Sequence, residues 1–127
     1  MTGEISKLAR YVFLLYFVVA LILGVWFFVS PESWNSVTGW PEEISAGRME
    51  GAATMALAIG SLLAYRAKSW EQVQIFVVLI IIWALLSAVG MLWNIATRTL
   101  PVAAWLTAGL AALFLILFFY VYYQAKK

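Results

Sequence analysis

Residues 72–97 read QVQIFVVLIIIWALLSAVGMLWNIAT, with Glu71 just before, Arg98 just after and no charged residue between them. About 20 helical residues cross roughly 30 Å of hydrocarbon, so this run is long enough to be a membrane span. Working outward by the same criterion, residues 11–30, 51–65 and 99–125 are also free of charge. With their flanks they predict spans at about 9–30, 45–65, 70–96 and 100–123, and an outer loop at 31–44. The expected fold class is all-α: a single-domain polytopic membrane protein with four transmembrane helices in an up-down antiparallel bundle.

Composition supports that reading. The 127-residue chain is 65% hydrophobic and 11% charged, whereas soluble domains carry about 25% charged residues. So few polar residues suffice only where lipid is the solvent, which sets aside nucleic-acid binders, soluble enzymes and metal hydrolases. Cysteine is absent, which removes disulfide frameworks, thiol redox chemistry, iron–sulfur clusters and thiolate zinc sites. Histidine is absent too, and with it the usual haem ligand and the usual intramembrane base. All 6 acidic residues are glutamates: Glu4, Glu32, Glu42, Glu43, Glu50 and Glu71. No cofactor or metal is expected, and a net charge of +2 is too small to suggest a nucleic-acid partner.

The 51–65 run is short alone, but Pro41 fits a first helical turn and would extend it outward through Glu42, Glu43, Arg48 and Glu50. Ser69 with Gln72 matches a capping box at the start of the third span. Ser30-Pro31-Glu32 matches the start of a short interfacial helix. Lys7 and Arg10 precede the first span, Arg66 and Lys68 lie between the second and third, and Lys126 and Lys127 follow the fourth. Only Arg48 and Arg98 fall on the other side, so the positive-inside rule places both termini in the cytoplasm, with the plasma membrane as the location. Trp70 and Trp93 lie about 34 Å apart along a helix, near the spacing of two interfacial belts. Trp26, Trp34, Trp40 and Trp105 would line the outer belt, and Tyr11, Tyr120, Tyr122 and Tyr123 the inner one. The first segment has the outline of a signal peptide, but its apolar run is too long and Val29-Ser30-Pro31 is no cleavage site, so it is expected to remain as a span.

Small residues recur every fourth position on the second span, at Ala52, Ala56, Gly60 and Ala64, and on the fourth, at Ala104, Ala108 and Ala112. Gly47 and Gly51 continue the pattern outward. Such stripes let backbones approach, which is the main source of helix association in lipid; use within the bundle is favoured over a homodimer.

Candidate chemistry gathers near the outer edge of the hydrocarbon. Arg48 and Glu50 are the deepest charges, and Ser87, Thr107, Phe27 and Phe28 fall near their level, with Asn94 and Arg98 further out. Arg48, Glu50, Ser87, Asn94 and Arg98 are therefore the candidate ligand-binding residues. Arg48 would contact an anionic headgroup or carboxylate with Glu50 orienting it. The competing reading is structural: Arg48 snorkels, and Glu50 pairs with Arg98 or another basic group. Arg48 and Glu50 are two apart and so project to different faces. Proton or sodium coupling has no mid-membrane carrier. The length suits a small multidrug exporter, but 11–30 lacks the acid that family places in its first helix.

Gly47-Arg48-Met49-Glu50-Gly51-Ala52-Ala53, continuing through Leu62-Leu63-Ala64-Tyr65-Arg66 to Trp70, resembles the second helix and turn of small four-helix prokaryotic membrane proteins in the DoxX-like neighbourhood. That resemblance implies the same bundle and a role as an accessory or quinone-linked oxidoreductase subunit, with electron transfer left to a partner or a bound quinone. The favoured function is a non-catalytic accessory or assembly subunit, with a membrane-protein partner or a second copy of the chain. The alternative is a binding module or carrier for a quinone or lipid. An intramembrane enzyme would have to work with Glu, Arg and Tyr alone and ranks last.

Overall fold

The computed structural model describes residues 4–40 and 44–126, and all its regular structure is helical. The elements run α1 (Lys7–Val29), α2 (Pro31–Thr38), α3 (Ile44–Arg66), α4 (Trp70–Thr97) and α5 (Ala103–Lys126). Pro41, Glu42 and Glu43, expected to open the second span, lie outside the described residues, as does Lys127.

Local chemistry sets the ends. The Ser6 hydroxyl accepts a hydrogen bond from the Ala9 N–H at 3.0 Å, capping α1. Pro31 disfavours a helical Ser30 and takes the first position of α2 instead. Gly39, at φ 75°, ends α2 in a left-handed conformation that a side chain would strain. The expected capping box at α4 is altered. Ser69 makes no side-chain cap bond, and the Gln72 carboxamide oxygen accepts from the Lys68 N–H at 2.8 Å, one residue upstream of the cap.

Three helices, α1, α4 and α5, are long and apolar enough to cross a membrane. The expectation of four such helices is met in length but not in hydropathy. α3 is 23 residues long, yet its many Ala and Gly residues, with Arg48, Glu50 and Arg66 at its ends, dilute its apolar character.

α1 packs chiefly on α3, and α4 on α5, as two antiparallel hairpins with slighter contacts between them. In the first hairpin the Arg10 guanidinium donates to the Tyr65 carbonyl at 2.6 Å and the Ser61 hydroxyl to the Phe13 carbonyl at 2.6 Å. Further along, a Cβ on Gly51 would collide with the Phe28 backbone nitrogen and lie 2.8 Å from the Gly24 carbonyl oxygen. The two backbones therefore touch at Gly24 and Gly51, the close approach that holds helices together in lipid. The buried face of α3 is Gly47, Gly51, Ala58, Ser61 and Ala64; of the expected small-residue stripe, Gly47, Gly51 and Ala64 lie on it, while Ala52, Ala56 and Gly60 do not. Ala56 is exposed and Gly60 faces Phe76 of α4. A strict four-residue step drifts round a helix of 3.6 residues per turn, so mixed steps of three and four keep one face. On α5, Ala104 and Ala108 are buried, Ala112 is exposed, and Phe114, Phe118 and Val121 continue the buried face.

Aromatic rings join the hairpins at the end where α1 begins. Phe13 and Phe118, both 0% exposed, lie 6.0 Å apart by centroid, and Phe76 is 6.3 Å from Phe13. Trp70, expected as an interfacial anchor, is buried with its ring centroid 6.3 Å from Tyr122. Trp93 is 70% exposed, as an anchor would be.

Candidate functional site

At the other end, where α2 lies, the hairpins separate and leave between them a half-open cavity of about 310 Å³. Its deepest part is the edge-to-face pair Tyr16 and Phe114, at 4.9 Å. Val19, Leu23, Ala84, Leu110 and Ala111 form apolar walls. Trp34 and Phe27, 4.8 Å apart at 76°, close it beneath α2. Thr54, Ser87 and Thr107 line its middle, and Glu50 and Asn94 its upper part. A second cavity adjoins it, sharing Glu50, Trp83, Met91 and Asn94 and adding Trp40, Met49, Arg98 and Leu100. Polarity thus falls with depth, from Arg98 through Glu50 and Asn94 to the hydroxyls and then the aromatic floor.

Each position follows from helix register. Glu50 and Thr54, one turn apart, share a face of α3, and Thr54 fixes its own rotamer by donating to the Glu50 backbone carbonyl at 2.8 Å. Ser87 and Asn94, seven apart, share a face of α4. Gly90 lies between them on the lining, and a Cβ there would meet nothing within 4 Å.

Of the five residues singled out in sequence, Glu50, Ser87 and Asn94 line the main cavity, and Arg98 joins Glu50 and Asn94 at the second. Arg48 lines neither. Its guanidinium donates to the Phe28 carbonyl at 3.0 Å and lies 3.7 Å from the Glu32 carboxylate. Arg48 therefore ties α3 to the end of α1 and to α2, the arrangement that the structural reading of this residue describes. The register reason was already visible: two residues along a helix turn a side chain by about 200°. Trp34, expected at the outer interface, is also relocated. It is 7% exposed and packed between Trp26 at 5.1 Å and Phe27, with Trp40 at 6.2 Å.

Tyr16, Trp83 and Met91 were not anticipated as lining residues. Nothing in their local sequence marks them, because apolar positions on every face of α1 and α4 look alike. Gly90, a glycine inside an otherwise bulky helix, was the one available signal. Among the described residues no three Asp, Glu, His or Cys side chains gather to hold a metal. The arrangement is an amphipathic cavity: mostly apolar walls with a few convergent polar groups, the composition common to small-molecule sites.

No family model, curated protein or solved structure matches the chain.

Proposed function

We propose that this is a four-span protein of the cell membrane, with both termini in the cytoplasm, whose inter-hairpin cavity binds the head and first tail carbons of a quinone or lipid. α3 joins the three apolar helices because it runs beside α1 from the Arg48–Phe28 bond to the Arg10–Tyr65 bond. A helix so paired crosses where its partner crosses. Basic residues at the Lys7, Arg66 and Lys126 end support the cytoplasmic assignment of that end. The cavity then opens in the outer half of the membrane. A reporter fused after Lys127 should give a cytoplasmic signal and one inserted at Trp40 an external one; a cytoplasmic signal from Trp40 would overturn the orientation.

The observation that carries the binding reading is the cavity's gradient, from Glu50 and Asn94, which it shares with the second cavity that Arg98 lines, to Tyr16 and Phe114 at its floor. Its volume, about 310 Å³, lies at the small end of ligand sites, so it holds a head and a short length of one tail. The second reading, an accessory or assembly subunit, draws on Val37, Met49, Trp93 and Val102, apolar and strongly exposed around the α2 end. Native mass spectrometry after gentle extraction separates the two. Retention of a stoichiometric small molecule by the native protein, and its loss from Gly90→Leu, supports binding. A bare chain, or one carrying only another protein, supports the accessory reading.

A further inference from the structure

We propose that the head held in this cavity is a flat six-membered ring with oxygens at opposite positions, a benzoquinone or its quinol, seated on α4 between Ser87 and Asn94; the inference rests on the binding reading above and narrows it. The hydroxyls of the chamber differ. Thr54 and Thr107 donate back to their own helices, to the Glu50 carbonyl at 2.8 Å and the Ala103 carbonyl at 3.1 Å. Among the described residues the Ser87 hydroxyl, the Asn94 carboxamide, the Tyr16 hydroxyl and the Trp34 indole N–H have no hydrogen-bond partner. They are not sealed in protein, since no buried side-chain nitrogen or oxygen among the described residues lacks a partner. These four groups therefore open on the chamber that their residues line. Polar groups without partners are costly away from water, so a ligand that pairs them is favoured.

Ser87 and Asn94 share a face of α4, and seven residues rise about 10.5 Å. Hydrogen bonds of about 2.8 Å at each end leave about 5 Å between the polar atoms of a ligand lying along the helix. Oxygens para to each other on a six-membered ring have that separation. Between the two side chains is Gly90, where a Cβ would meet nothing within 4 Å, so the ring lies flat against bare backbone. Ser87 and Asn94 each donate and accept, which fits the carbonyls of the oxidised ring and the hydroxyls of the reduced one. The remaining free groups fall outside this span. Trp83 lies one turn nearer the floor than Ser87, Tyr16 is at the floor, and Trp34 closes the chamber beneath α2. A tail on a carbon between the oxygens leaves the ring sideways, past Trp83 and Met91, which line both cavities.

The test uses the full chain in lipid nanodiscs, with empty discs subtracting membrane partition, and two probes, a decyl benzoquinone and a lysophosphatidylcholine. The quinone should bind more tightly than the lysolipid. Ser87→Ala and Asn94→Leu should each weaken it about fivefold, while Tyr16→Phe and Trp83→Phe leave it unchanged. Infrared spectra of the bound quinone, isotope-labelled at one carbonyl carbon at a time, should show both stretches lowered, and each of the two α4 substitutions should release one of them. Tighter binding of the lysolipid, or quinone binding that Gly90→Leu abolishes but that does not depend on both Ser87 and Asn94, overturns the ring seat and leaves the cavity reading intact. Weakening by Tyr16→Phe in their place does the same, because it moves the head to the floor. Binding that survives both Gly90→Leu and Ala111→Leu, or binding of neither probe, overturns the cavity reading and this inference with it. Ala111→Leu fills the same chamber from α5 should Gly90→Leu fail to fold.

Discussion

Glycines at three positions separate packing from open space. At Gly51 a methyl would meet backbone of α1, and at Gly24 it would lie 2.9 Å from the Met55 backbone nitrogen, atoms that move only if the helices part. Gly51→Ala should lower the thermal midpoint in detergent sharply. Gly90→Ala, with nothing within 4 Å of the new carbon, should be neutral or stabilising by up to about 1 kcal/mol, since alanine is the better helix former. A reversed order would remove the Gly24–Gly51 contact as the seam. Arg48 and Glu50 form a second contrast. The Arg48–Glu32 pair is 44% and 60% exposed, and such pairs contribute at most about 1 kcal/mol. Arg48→Lys should leave ligand retention unchanged, whereas Glu50→Gln, at the mouth of the chamber, should weaken it by titration in nanodiscs. Sequence sets Arg48 and Glu50 at neighbouring levels of one helix, because level is a count along it. It left Arg48 between a headgroup contact and a structural clamp, because the neighbours on its face, Phe28 and Glu32, come from elements whose docking no local pattern reports.

At the scale of elements, length and charge were legible and faces were not. The charge-free runs located all the long helices, and Ser30-Pro31-Glu32 located α2, because proline and serine act within one turn. The amphipathic periodicity that identifies a buried face in water is absent when lipid takes the outside of the helix. The buried face of α3 was therefore drawn through Ala56, which is exposed, instead of through Ala58 and Ser61, which are 0% exposed. One inter-helix bond offers a direct check on the first hairpin. Arg10 donates to the Tyr65 carbonyl in the last turn of α3, where carbonyls lack helical partners and cations are favoured. Arg10→Ala should raise amide exchange around residues 65–67 while leaving Gly51 and Met55 protected. Uniform loosening along α3 would mean that the hairpin, not its end, depends on Arg10.

Across the whole molecule, two hairpins are pinned by rings at one end and parted at the other, which makes the seam between them a chamber. The residues that pin it, Phe13, Phe76 and Phe118, and those that line it, Tyr16, Trp83 and Phe114, are of one chemical kind in the sequence. Only the assembled fold sorts them. The outside is equally apolar: Ile75 is 83% exposed and Ile116 65%, on α4 and α5, two of the three helices long and apolar enough to cross a membrane. That contrast gives the most direct test of a binding chamber. A long-chain alkyl diazirine, photolysed with the protein in nanodiscs, should label Trp83, Met91, Leu110 and Ala111 in excess of Ile75 and Ile116, and Gly90→Leu should erase the excess. Labelling that simply follows lipid exposure, with Ile75 and Ile116 dominant in both proteins, would contradict the account.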